Sequence, residues 1–245
     1  GVGVSCHAPI RIATDNTVYA MPETGIGFFT DVGGSYFLSR VKDNIRLGLY
    51  LGLTGHRLKS RELVKWGVAT HFVPSDNIET LKKDIVHSVT PSTTNEEIHQ
   101  IVTKHSDPSA HSDQIENLDQ INSIFSEEGS IHDLISRLKS DPSDFSLSIQ
   151  KKLSYMSPLS LAIVHELIKR GSTITLEQAF SMEFDLSQAF MAHPEFFEGV
   201  RALLVDKDKS PKWKYDSIEK VPKEEVDWFF GYKNPDLVKI DLNLQ

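Results

Sequence analysis

The sequence predicts an α/β fold: a short strand, strand, helix opening, then a mainly helical remainder. Three observations carry that prediction. Val4 to Thr14 and Thr17 to Ala20 are rich in β-branched and apolar residues and are joined by the turn pair Asp15-Asn16. A helical pattern begins near Ser35, just after Gly33-Gly34. Beyond Pro74, apolar residues recur every three or four positions almost to the end of the chain. With 39% hydrophobic and 24% charged residues over 245 positions, the composition is that of an ordinary globular protein with a sizeable core.

Taken in order, Phe37, Leu38, Val41, Ile45, Leu47 and Leu51 carry helical spacing from Ser35 to Arg40 and again from Lys42 to Leu51. Gly52 and Thr54-Gly55 end the run. Ser60 is a candidate N-cap for a helix Arg61 to Trp66, Gly67 its C-terminal stop, and Ala69 to Val73 a short buried strand closed by Pro74. Asp76-Asn77 opens a helix to about His87, Asn95 another to about Lys104, and Ser106 to Asp113 reads as a polar loop. The spacings Ile115-Leu118-Ile121-Ile124-Phe125 and Ile131-Leu134-Ile135-Leu138 predict two amphipathic helices. Phe145 to Met156, Leu159 to Lys169, Thr175 to Ala192 and Phe196 to Val205 continue the pattern, with Gly171 and Pro194 as stops.

A net charge of −8 argues against holding nucleic acid through the overall field, because phosphate binding needs clustered cations. The single cysteine, Cys6, excludes an internal disulfide and a cysteine-rich metal site, and reads as a small buried apolar residue. No apolar run reaches the length of a membrane span. The histidines show no His-x-x-x-His metal spacing with a third carboxylate nearby, so no metal ligand set is expected. His165 and His193 are expected to be structural. Ser5 and Ser35 lack the glycines of a nucleophile elbow.

The stretch Tyr19 to Gly34 carries the chemistry. Glu23 follows Pro22, which fixes φ and presents the carboxylate from a rigid segment. Its apolar neighbours Met21, Ile26, Phe28 and Phe29 are expected to raise its pKa towards that of a useful base. Asp31 lies eight positions on (31 − 23), ahead of a glycine pair and a helix start whose free N–H groups suit a carboxylate or an acyl oxygen. The competing readings are an ordinary loop acid for Glu23 and a helix cap for Asp31. Lys207, Lys209, Lys212 and Lys214 cluster around Trp213, either as a solvated helix exit or as contacts to the phosphates and adenine of a nucleotide carrier.

Several motifs resemble, in order, the second half of the crotonase fold, most closely the 3-hydroxyisobutyryl-CoA hydrolase family. They are Gly1-Val2-Gly3-Val4-Ser5, Ala20-Met21-Pro22-Glu23-Thr24, Gly27, Asp31 to Leu38 and Leu53-Thr54-Gly55. The likeness continues through Gly67 to Val73, Met156 to Leu161, Met182-Glu183-Phe184, Glu198 to Leu203, Asp206-Lys207-Asp208 and Pro211-Lys212-Trp213. It is weakest from Ile78 to Ser154 and after Tyr215. On this likeness the fold is the later part of a crotonase-type ββα spiral followed by a mainly helical C-terminal region, with 1–75 the later spiral turn that carries the carboxylates, 76–155 a helical insertion, 156–214 the C-terminal helical part of the fold and 215–245 a tail.

The resemblance implies an acyl-CoA substrate, hydrolysis of a short 3-hydroxyacyl-CoA thioester, a mitochondrial location, and no cofactor beyond the CoA of the substrate. Glu23 would be general base or nucleophile, and Asp31 would orient the substrate's 3-hydroxyl or the attacking water. Gly1, Gly27 and Lys207 would contact substrate. Hydratases of the superfamily place a second catalytic glutamate where this chain has Gly3 and a glycine where it has Asp31, so hydration of an enoyl-CoA is the alternative reaction. Thr30 departs from the family's proline, which loosens the expected restraint on Asp31. Two oxyanion-hole donors are expected upstream of Gly1, together with the early part of the spiral. The 245-residue stretch alone is therefore expected to show an open sheet and to be incomplete as an enzyme. A homo-oligomer and the small subunit of the mitochondrial ribosome are the further partners the resemblance allows. Contact there would run through protein, with Val221 to Tyr232 and its Trp228, Phe229 and Phe230 as the candidate surface.

Overall fold

The computed structural model describes residues 1–111 and 114–234. The described residues form two compact units, one from 1–20 and 57–118, the other from 21–56 and 119–234. Both therefore draw on more than one of the segments that the resemblance implies.

In the first unit, Ile12–Ala13 pairs in parallel with His71–Phe72, and Val18–Tyr19 pairs antiparallel with Leu58–Lys59. The strands are much shorter than the sequence suggests. Val2–Ser5 is a helical turn rather than the start of a strand. A β-branched run becomes a strand only where a partner completes the ladder, and among the described residues only those two-residue stretches find one. Arg11 ties the pair together: its Nε donates to the Val68 carbonyl at 2.7 Å, and its other nitrogens reach the carbonyls of Ala8 and Gly67. Ser60 takes φ 54 and caps nothing; Glu62–Lys65 starts from Arg61 without a side-chain cap. Helices Ile78–Ser88 and Asn95–His105 pack through Leu81 and Val102 on Val73, with Ile10, Ile78, Ile85 and Ile101 around them. Thr94 and Glu97 form the capping box that starts the second helix. The loop expected from Ser106 holds a 3-10 turn, Pro108–Ala110; Ser112 and Asp113 lie outside the described residues.

The second unit is helical and is built around Pro158–Gly171, whose apolar residues from Leu159 to Ile168 are buried. Ser157 caps it, its Oγ accepting from the Ser160 N–H at 3.0 Å. Helices Gly34–Leu38 and Ile45–Thr54 pack against it. Two backbone approaches set that packing: a Cβ on Gly171 would lie 2.2 Å from the Ser35 carbonyl oxygen, and one on Gly48 1.8 Å from that of Leu38. Lys42 has non-helical φ and ψ, so the helix expected from Lys42 starts only at Ile45, capped by Asn44. Arg40 donates to the carbonyls of Gly171 and Ile174, at 2.7 and 3.0 Å, and pins the end of the central helix. Ile131–Ser140, Asp144–Leu153 and Leu176–Met191 form close to where their periodicity places them. The expected Phe196 to Val205 helix begins earlier, as Pro194–Val200, and passes into a π-helical turn, Arg201–Val205. The tail forms the helix Lys223–Gly231, which buries Phe229 against Phe190 at a ring distance of 4.7 Å and leaves Trp228 partly exposed.

Candidate active site

Glu23 opens a 3-10 turn, Glu23–Ile26, that ends on Gly27 in the left-handed conformation at φ 69. Thr24 anchors the turn. Its hydroxyl lies 3.3 Å from the Leu53 carbonyl, and its own carbonyl accepts from the Ser157 N–H at 3.0 Å. Behind it stands an aromatic wall in which Phe28 meets Phe29, Phe196 and Phe190 at ring distances of 4.5, 4.6 and 5.1 Å. Burial raises the Glu23 pKa from an ordinary 4.5 to about 7, and the negative charge of Asp31 adds to the rise. Glu23 Oε2 is buried without a hydrogen-bond partner. A carboxylate half protonated near neutral pH with one oxygen unengaged is equipped to accept a proton from a bound water.

Asp31 is half-buried, and burial raises its pKa as well. It does not cap the following helix: Gly33 is the N-cap residue and makes no side-chain bond. Instead, the Asp31 carbonyl accepts from the Gly34 N–H at 2.9 Å. Val32 at φ 56 and Gly33 at φ 79 follow, two consecutive left-handed residues. For a β-branched residue this conformation costs on the order of 1–3 kcal/mol and persists only where the surroundings enforce it. Glu183, from the Leu176–Met191 helix, binds the backbone that follows. Its carboxylate accepts the Gly33 N–H at 2.6 Å, the Ser35 N–H at 2.9 Å and the Ser35 hydroxyl at 2.5 Å. The helix start was expected to receive a carboxylate or an acyl oxygen; the chain fills it with its own carboxylate. Thr30 is wholly buried, and its hydroxyl has no partner.

The remaining candidates separate. Gly27 has a packing reason to be glycine, since a Cβ there would lie 2.6 Å from the Glu195 carbonyl oxygen and 2.8 Å from the Trp213 ring. Lys207 is exposed at φ 57 in a loop braced by Arg201, which donates to Glu198, Asp206 and Asp208 at 2.7–2.8 Å. Gly1 is exposed and belongs to the other compact unit. Within the lysine cluster, Lys214 pairs with Glu225 at 2.6 Å. His193 is structural, taking the Glu195 N–H at Nδ1 and facing Glu225 through Nε2. Burial pushes the pKa of His165 down to about 3, which keeps it neutral inside the central helix. Among the described residues no group of three His, Cys, Asp or Glu could hold a metal ion, and no helix is long and apolar enough to cross a membrane.

The chain belongs to the enoyl-CoA hydratase/isomerase family. The family model of that description matches residues 1–230. Among curated relatives, the chain is 44% identical over 237 residues to the mitochondrial 3-hydroxyisobutyryl-CoA hydrolase of Danio rerio, covering 94% of this chain and 60% of that protein. It is 42% identical to the Homo sapiens protein of the same name, with the same coverage. The chain thus spans about 60% of the length of these relatives. Among solved structures, a carnitinyl-CoA dehydratase from Mycobacterium thermoresistibile superposes with a TM-score of 0.78 at 28% identity, over 97% of this chain and 66% of the other. An enoyl-CoA hydratase from Rhodobacter sphaeroides gives 0.75 at 30%, over 94% and 64%.

The buried carboxyl predicts a pH-dependent stability. Because the folded-state pKa of Glu23 lies above its ordinary value, the folded chain holds a proton that the unfolded chain has released between pH 4.5 and about 7. The contribution is full below pH 4.5 and is lost as pH rises through about 7. At most it amounts to about 3 kcal/mol. Wild type minus Glu23→Gln stability, from urea unfolding near pH 5 and near pH 8, should therefore fall on going to the higher pH. Parallel curves would mean that the carboxyl is solvated.

Proposed function

We propose that the full-length protein hydrolyses a short 3-hydroxyacyl-CoA thioester, 3-hydroxyisobutyryl-CoA being the first candidate, in mitochondria. The observation that carries this reading is Glu23, a buried carboxyl with a pKa of about 7 and a free oxygen, coupled to Asp31. The names of the relatives support the substrate and the compartment. Glu23 takes a proton from water as the water oxygen bonds to the thioester carbonyl carbon. The C–S bond then breaks, and the proton passes to the departing CoA thiolate. Attack by the Glu23 carboxylate itself, through an anhydride, is the variant of the same step. Asp31 orients the substrate's 3-hydroxyl or the water. No cofactor enters beyond the CoA carried by the substrate.

Hydration remains the competing reaction, supported by the likeness to a carnitinyl-CoA dehydratase and an enoyl-CoA hydratase. Thiol release and alkene hydration should be measured side by side on full-length protein, with 3-hydroxyisobutyryl-CoA and the corresponding enoyl-CoA. Thiol release is expected; hydration without it replaces this reading. A protein that does neither and co-sediments with mitochondrial ribosomes would be a structural subunit. A homo-oligomer is read in the same preparation by its mass in solution.

A further inference from the structure

We propose that Glu183 is the positioning residue that sets Asp31 against Glu23, a role that rests on the hydrolase reading above. Glu183 stands 150 positions from Gly33 in sequence, and it meets only donors: two main-chain N–H groups and the Ser35 hydroxyl. Two oxygens receiving three donors suit an ionised carboxylate, because a proton on either oxygen would face an N–H. These bonds fall on both sides of Gly34, whose own N–H closes the turn on the Asp31 carbonyl. Glu183 is thus the clamp across the left-handed pair Val32-Gly33, and the carboxylate displayed at the head of that clamp is Asp31.

The three acids form one electrostatic set. Burial raises both Glu23 and Glu183, and the charge of Asp31 adds to each rise, so the position of Asp31 is registered in the proton affinity of the base. Opening the turn moves Asp31 away and lowers the pKa of Glu23. Glu183 touches neither reacting atom nor substrate in this scheme; it acts through Asp31.

Glu183→Gln keeps the volume of the side chain but places an amide NH2 against a main-chain N–H, donor against donor. In full-length protein this variant is expected to lower kcat by about 10²-fold, the usual penalty of a misplacement near 1 Å, with little change in KM for the CoA thioester. The acidic limb of its pH profile should move to lower pH. The pKa of Glu23 should fall too, read by carbon-13 titration of labelled glutamate carboxyls and assigned by comparison with Glu23→Gln. A lower melting temperature with kcat per folded molecule and the Glu23 titration unchanged would show that Glu183 is merely structural. Should Glu183→Gln not fold, Ser35→Ala removes one donor of the three and should give a smaller drop, about 3- to 10-fold, with the Glu23 titration shifted in the same direction; no change in either overturns the proposal. A wild-type protein that releases no thiol would remove the hydrolase reading, while the Glu23 titration still decides the role of Glu183.

Discussion

Replacing Glu23 by glutamine is expected to lower kcat of the full-length protein by about 10²–10⁴-fold, equivalent to roughly 2.7–5.5 kcal/mol of barrier, which is what a positioned base supplies. The substitution keeps the side-chain shape within the turn held by Thr24 and leaves the aromatic wall untouched. It removes only the proton acceptor. Binding of a CoA thioester, measured by calorimetry, should therefore stay within a few-fold of wild type while single-turnover thiol release collapses. The pH profile gives an independent reading. A base with a pKa near 7 is active when ionised, so wild-type activity should rise with pH through that value, and the variant's residual activity should lack that limb. Asp31→Asn should keep the limb but move it to lower pH, since the charge that raises Glu23 is gone. Unchanged turnover in Glu23→Gln would remove Glu23 from the mechanism altogether.

The site was only partly legible in the sequence because its two carboxylates are local and their support is not. Pro22, Glu23 and the apolar residues around them occupy one short stretch, so desolvation of Glu23 follows from neighbours that adjacency reveals. Asp31 behaved differently: on pattern it fitted a helix cap, yet Gly33 occupies the cap position and a distant glutamate binds the free N–H groups. Glu183 sits in a helix of ordinary periodicity, and its burial against the helix start at Gly34 becomes visible only when the chain closes a loop of 148 to 150 residues. The one signal available was an acid on the inward face of an amphipathic helix, which calls for a buried partner. Helices with three- and four-residue apolar spacing, such as Ile131–Ser140, were readable because the pattern and the fold are both local. The strands were not, since Val4 to Thr14 pairs over only two residues and the partner, His71–Phe72, is remote in sequence.

The second large effect is structural and reaches the site through packing. Gly199→Ala is expected to lower unfolding free energy by about 3 kcal/mol or more, at the upper end of the usual range for overpacking. Turnover of the molecules that remain folded should fall by about 10²-fold. Two terms compete. Alanine in a helix is favoured over glycine by about 1 kcal/mol, and Gly199 lies inside Pro194–Val200 without a left-handed φ. Against this, its Cβ would lie 2.0 Å from the Ile26 carbonyl oxygen and 2.3 Å from the carbonyl carbon, in contact with main chain that has no rotamer to yield. The steric term wins. Relief requires the helix and the Glu23–Ile26 turn to separate, and Gly27 shows how closely they are matched, since a Cβ there would meet the Glu195 carbonyl oxygen at 2.6 Å. Separation shifts the turn that presents Glu23, so stability and kcat should fall together. Gly25→Ala is the control from the same turn: its Cβ would lie 3.5 Å from the Met156 sulfur, an ordinary contact, and its effect on stability should stay within about 1 kcal/mol. Equal behaviour of the two variants in urea unfolding and in kcat would show that the approach of the helix to the turn does not hold Glu23 in place.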